Sequence, residues 1–236
     1  MADEPTIPSW PAPLRRTSVR HEVTEALRAA LVTGRMVPGV VYSAPQLAEQ
    51  LGVSATPVRE AMLELVRAGM VEVALNKGFR VVELGDAELD QLAELRLLLE
   101  VPVMVSVAEH CSDAVAAEVE SLRSLAQELE AAAAARDLVR FIALDTEFHT
   151  RFLGLHGNPA LVEVVRDLRG RSRLFGLERI AERGLLDAAA HEHAEMIDVA
   201  LARDAAGMRE LMTRHVGHVR GEWAAAQVAV PVDAAG

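Results

Sequence analysis

Cysteine is almost missing from this sequence: Cys111 stands alone among 236 residues. That excludes an internal disulfide framework and suits a reducing compartment. Long apolar runs are missing too, since none reaches the roughly 18 residues that a bilayer-spanning helix needs. The N-terminus has no charged stretch followed by an apolar segment, so no secretory leader is expected. These absences predict a cytoplasmic protein with no membrane partner, able to bury one large or two modest cores. Positive charge is also scarce, with a formal net charge of −11 that at first argues against nucleic acid. Counted by segment, residues 15–82 hold nine Arg and Lys against six acids, +3, which leaves −14 for the rest of the chain. A mildly basic part beside a strongly acidic one is the asymmetry of a nucleic-acid reader joined to a repelling partner domain.

What is present organises the chain. Residues 1–14 hold Pro5, Pro8, Pro11 and Pro13 without helical period and read as a disordered arm. Val19, Val23, Leu27 and Leu31 recur at helical spacing up to Gly34. Ser43-x-x-Gln46 is a capping-box pattern opening a short helix that Gly52 can end, with Val53 plugging the turn. Thr56-Pro57 reads as a hydroxyl cap and first-turn proline, followed by the inner stripe Val58, Met62, Leu65 and a closing Gly69. Val71–Val73 and Phe79–Val82 are β-prone runs around Asn76-Lys77-Gly78, a hairpin signal. Helix, helix, turn, helix and two-stranded wing form a winged helix-turn-helix over residues 15–83. From Asp86 the chain reads helical, with six helices near 86–110, 113–135, 137–155, 159–180, 187–203 and 205–228, and a flexible tail over 229–236. The fold class is therefore mainly α: a winged helix-turn-helix followed, after Glu83-Leu84-Gly85, by an antiparallel helical bundle over 86–228.

Two sets of residues carry chemistry. The second helix of a helix-turn-helix enters the major groove, so its early residues reach base edges. Here these are Ser54, Thr56 and Arg59, the arginine being suited to bidentate pairing with guanine. Lys77 and Gly78 at the wing tip would approach the minor groove. In the helical half, Asp145 and His149 lie i, i+4 on a face overlapping the stripe Phe141, Leu144, Phe148 and Phe152. His193 precedes Met196, Ile197 and Ala200, and His215 shares a stripe with Met208, Leu211 and Met212. A carboxylate facing a core is costly unless it is paired or bound to metal. One aspartate and three histidines facing inward suit Zn²⁺ or a similar divalent ion, with nickel and manganese as alternatives. His218 is a reserve ligand.

Leu47 to Met62, continued by Val66–Val71 and Asn76–Phe79, resembles the signature of the GntR family of bacterial regulators. Arg96–Glu100, Asp145-x-x-Phe148-His149, Gly157-Asn158, Glu192-His193 and His215-Val216 resemble the FCD sensor domain of its FadR branch, the six helices pointing to the VanR-type subgroup. The resemblance implies that Asp145, His149, His193 and His215 hold a divalent metal, that a small organic acid binds beside it, and that Arg96 pairs with its carboxylate. Arg96 equally fits an i, i+4 salt bridge to Glu100. Two departures stand where the family often has arginine, at Ala55 and near Pro45. The expected protein is a repressor and not an enzyme. It would bind an inverted-repeat DNA operator as a homodimer and release it when a small carboxylate effector binds. A metal that is purely structural or itself the signal, and more remotely a metal-dependent hydrolase, are the alternatives.

Overall fold

The computed structural model describes residues 19–172 and 185–228, without the side chains of Asp86, Leu185 and residues 218–228. The proline-rich arm, the tail from residue 229, the break expected at Gly184 and the side chain of His218 lie outside the described residues. The order is α1 (Val19–Val32), β1 (Val41–Tyr42), α2 (Ala44–Leu51), α3 (Ala55–Arg67), β2 (Val71–Ala74) and β3 (Gly78–Val81). Then follow α4 (Asp86–Glu109), α5 (Asp113–Ser121), α6 (Arg123–Ala134), α7 (Leu138–Gly154), α8 (Pro159–Ser172), α9 (Leu185–Leu201) and α10 (Ala205–Val228).

In the first unit, Val23, Leu27 and Leu31 bury the inner face of α1 against α3, as their spacing predicts. The Ser43 hydroxyl accepts from the Gln46 N–H at the start of α2, and Gly52 (φ +66°) ends that helix. One expectation fails at α3. The residue in the cap position is Ser54, in extended conformation, and Thr56 and Pro57 lie inside the first turn. First-turn amides have no intrahelical acceptor, so a proline there removes nothing. Strands β2 and β3 form the expected hairpin, pairing Val71 with Val81 and Val73 with Phe79. The sheet has a third member that sequence reading missed: β1 pairs with β3, Tyr42 opposite Phe79. Gly78 (φ +132°) serves this seam, because a Cβ there would collide with the Tyr42 carbonyl.

The second unit is a bundle in which α10 runs along α4, α9 packs on α6 and α10, and α7 packs on α6 and α8. The helix expected over 113–135 is two segments, α5 and α6. They meet at Leu122, whose φ −77° and ψ −11° stay in the right-handed region, so the break is local. Arg136 (φ +55°) then turns the chain, and the Asp137 carboxylate accepts the Arg140 N–H to start α7. Phe148, Phe152, Met196, Ile197 and Met212 lie at the centre of the bundle core. The two cores trade members across the connection. Val32 of α1 belongs to the bundle core, while Leu84, Leu89, Leu92 and Leu168 belong to the core of the first unit.

Candidate metal centre and nucleic-acid interface

Three helices deliver the inward-facing donors that the stripes predict. Asp145 and His149 come from α7, His193 from α9 and His215 from α10, and all four are buried. One donor atom from each lies within 4.8 Å of every other. His149 Nε2 stands 3.1 Å from His193 Nε2, and Asp145 Oδ1 stands 3.3 Å from His193 Nε2. Around an ion with bonds of about 2.0–2.2 Å, neighbouring donors sit roughly 3–3.5 Å apart, so these separations suit a shared cation.

Hydrogen bonds on the far side of the rings set which nitrogen faces inward. His193 Nδ1 lies 2.9 and 3.1 Å from the carbonyls of Ala189 and Ala190, which can only accept, so Nδ1 carries the hydrogen and Nε2 presents a lone pair. His215 Nδ1 lies 2.7 Å from Glu192 Oε2, which leaves its Nε2 bare and without a hydrogen-bond partner among the described residues. Burial, opposed by the bond to Glu192, brings the His215 imidazole down to about 4. Burial and the charge of Arg169 hold His149 well below the ordinary histidine range, against the pull of Asp145. Both rings are therefore neutral bases near pH 7. His149 Nε2 and His193 Nε2, 3.1 Å apart, need a proton or a cation between them, because two facing lone pairs at that distance would repel. The donor set, three imidazole nitrogens and a carboxylate oxygen, fits a borderline divalent ion, and the carboxylate behind His215 is the usual way to fix a ligand's tautomer. Phe148 stands edge-on to His149 and His193, with centroids 5.4 and 4.8 Å away, and supplies an apolar wall.

A second ring of charge lies behind this cluster. Arg96, 1 % exposed, donates Nε–H to Glu100 at 2.6 Å, while its Nη2 is buried without a hydrogen-bond partner among the described residues. The i, i+4 salt bridge is thus present, and one edge of the guanidinium is not consumed by it. Arg169 donates to Glu100 and to Asp145 Oδ2. Burial alone would raise the Glu100 carboxyl, but the guanidiniums of Arg169 and Arg96 overcome it and bring it to about 2. Glu192 was legible only as the neighbour of His193. Arg169 was missed altogether, although it follows Val162, Val165 and Leu168 on the buried stripe of α8.

In the first unit Ser54, Thr56 and Arg59 are exposed at the start of α3, and Lys77 is exposed at the wing tip. Gly78 is half-buried against β1. Ala55 is half-buried and packs on the core of its unit, and Pro45 is exposed in the first turn of α2. The arrangement presents a helix N-terminus and a basic hairpin tip, which together match the groove and backbone contacts of a winged helix.

Comparison with known proteins bears on both halves. Residues 19–81 match the family described as bacterial regulatory proteins, gntR family, and residues 91–218 match the FCD domain. The HTH-type transcriptional regulator McbR of Escherichia coli is 31 % identical over 155 residues, 66 % of this chain and 69 % of that protein. Its solved structure covers 86 % of this chain and 95 % of its own at 27 % identity, with a TM-score of 0.68. A probable D-xylose utilization operon transcriptional repressor of Paenarthrobacter nicotinovorans is 28 % identical over 204 residues, 86 % and 88 % of the two chains. A putative transcriptional regulator GntR from Rhodococcus sp. RHA1 shares the fold at 23 % identity, with a TM-score of 0.69 over 91 % of this chain and 100 % of its own. The two curated relatives are named as a transcriptional regulator and a probable transcriptional repressor, in keeping with a regulator rather than an enzyme.

Proposed function

The chain belongs to the gntR family of bacterial regulatory proteins and carries an FCD domain, and on that premise we propose that it represses transcription as a homodimer on an inverted-repeat operator, releasing it when a small organic acid binds beside a divalent ion. The regulator's place of work is the cytoplasm, where its DNA is. Ser54, Thr56 and Arg59 would read or grip the major groove, with Lys77 and Gly78 on the neighbouring backbone. Supporting this, all five stand at the start of α3 or at the wing.

The observation that carries the sensor half of the reading is the convergence of four buried donors, Asp145, His149, His193 and His215. Zn²⁺ fits the set best, with nickel or manganese next. When bound, the ion supplies positive charge and Lewis acidity at the centre of the bundle. The residues around it explain why an acid would follow. Arg96 and Arg169 balance Glu100 and Asp145, so an added divalent cation leaves a buried excess of positive charge that an anion relieves. Arg96 Nη2, buried and unengaged among the described residues, is the group we assign to the effector's carboxylate. A metal that is structural or itself the signal is a second reading, favoured by a donor set already sufficient to close a tetrahedral shell.

Native mass spectrometry of freshly purified protein, followed by thermal titration with Zn²⁺ and then with a panel of mono- and dicarboxylates, separates these readings. Sensing predicts a dimer that takes one ion per chain and gains further stability from particular acids only after the ion is bound. Stabilisation by Zn²⁺ with no response to any acid selects the second reading, and failure to bind any divalent ion refutes both.

A further inference from the structure

The last described turn of α8 faces two ways. Arg169, fully buried, donates Nη1–H to Asp145 Oδ2 at 2.8 Å, and Nη2–H and Nε–H to Glu100 Oε2 at 2.6 and 3.1 Å. The other oxygen of Asp145 belongs to the donor cluster, 3.3 Å from His193 Nε2. On both sides of Arg169 the chain touches the DNA-reading unit. Leu168 is part of its core together with Met70 and Leu92. A Cβ at Gly170 would stand 3.4 Å from Met70 Cε, and a Cβ at Gly69 would stand 3.1 Å from Arg171 Cδ and Nε. Gly69 (φ +68°) is where the recognition helix α3 gives way to the wing, so both its conformation and the approach of Arg171 ask for glycine. The turn is tied at both ends: Met70 N–H donates to the Leu65 carbonyl at 2.9 Å, and Val82 N–H donates to the Met70 carbonyl at 3.1 Å.

We propose that this turn of α8 is the link that carries occupancy of the donor cluster to the recognition helix, with Arg169 and Arg171 as its positioning residues. The inference rests on the reading that Asp145 and the three histidines bind an ion. Asp145 is shared between the cluster and Arg169, so charge entering among the imidazoles competes with the guanidinium for one carboxylate. Arg169 cannot simply swing away. It is buried, and a buried guanidinium must keep its partners, Glu100 among them. The adjustment therefore falls on the helical turn that carries it. Leu168, Gly170 and Arg171 move with that turn because they belong to it, and close-packed neighbours pass on a small shift rather than absorb it. Gly69 and Met70 are those neighbours, at the foot of α3. The competing routes are α7 against α1, which enters the first unit through Val32, and α4, which carries Glu100 and also Leu89 and Leu92 of the first unit's core.

Amide hydrogen exchange on the full chain, with Zn²⁺ as the probe, tests the link without knowledge of effector or operator. In the wild type, Zn²⁺ should change exchange at residues 69–71 and in the last turn of α3 by about fivefold or more, the low end of ordinary allosteric coupling. Arg171→Ala lies outside the donor cluster and should take up Zn²⁺ with the same stoichiometry by native mass spectrometry, yet lose that change to within about twofold. Leu168→Ala provides a second break at the same seam. Zn²⁺ uptake with no exchange response at residues 69–71 in the wild type overturns the link and leaves the metal reading intact. A response that survives in both variants overturns it as well and sends the coupling through α1 or α4. No uptake by the wild type removes the metal reading and the link with it, and the mass spectrum identifies that case.

Discussion

In the DNA-reading unit the residues assigned to the operator, Ser54, Thr56, Arg59 and Lys77, are exposed, whereas in the bundle Asp145, His149, His193 and His215 are buried to 1 % or less. The first set costs the fold nothing to display. Water solvates those side chains, and their orientation comes from the helix start and the hairpin beneath them. The second set is expensive, because each polar atom removed from water must find a partner. The bundle meets much of that demand with nested partners: carbonyls behind His193, Glu192 behind His215, Arg169 behind Asp145, and Glu100 and Arg96 behind Arg169. Arg96 Nη2, His149 Nδ1 and His215 Nε2 keep no hydrogen bond among the described residues. Function and stability are separable in one half of the molecule and entangled in the other.

The sharpest way to break that contrast is Arg169→Met. It leaves Glu100 with Arg96 alone and takes from Asp145 its buried guanidinium, and removing one partner of a buried pair typically costs about 3–5 kcal/mol. Urea unfolding should show a loss of that size, and an unchanged midpoint would mean that the buried network is not holding the bundle together. Glu192→Gln comes next. It keeps the shape behind His215 and removes the charge, so Zn²⁺ affinity by competition titration should fall about 10–100-fold. Equal affinity would show that the tautomer of His215 is fixed some other way. Arg59→Ala should cost roughly 1–3 kcal/mol in operator binding by fluorescence anisotropy, if the side chain makes a bidentate base contact. Its unfolding midpoint and its metal content should match wild type, and a destabilised variant would erase the distinction between the two halves. The smallest effect belongs to Lys77→Ala. Losing one phosphate contact should flatten the slope of log affinity against log salt by about 0.9 while specific and non-specific DNA weaken alike. An unaltered slope would take Lys77 off the phosphate backbone.

The same contrast explains what could be read from the chain itself. Asp145, His149, His193 and His215 announced themselves because polar residues on apolar stripes need a reason. Arg169 obeys the same rule on α8, but it stands between Arg166 and Arg171, and a run of arginines reads first as a solvated helix face. The reader helix was legible from turn chemistry, yet its cap was placed at Thr56 when Ser54 holds the position. Ser54 makes no side-chain capping bond, so the extended backbone alone marks the start, and a choice between two nearby hydroxyls leaves no compositional trace. Strand β1 is two residues long and exists only by pairing with a partner nearly forty residues away, which no local pattern encodes. The interruption at Leu122 was invisible because a buried leucine among good helix formers reads as continuous helix.

The exchange of core members across Glu83–Gly85 has a bearing on how such regulators diversify. A recombination event, or an engineer, joining this reader to a foreign sensor just after the wing would leave behind Leu84, Leu89 and Leu92 and would strip Leu168 from the same cluster. The orphaned reader would show an apolar face to water, prone to stickiness and proteolysis. A graft that keeps the first two turns of α4 and supplies a leucine-sized side chain in place of Leu168 would stay closed. The working seam of the molecule therefore runs through the body of α4, and heredity can shuffle these parts only by cutting inside a helix.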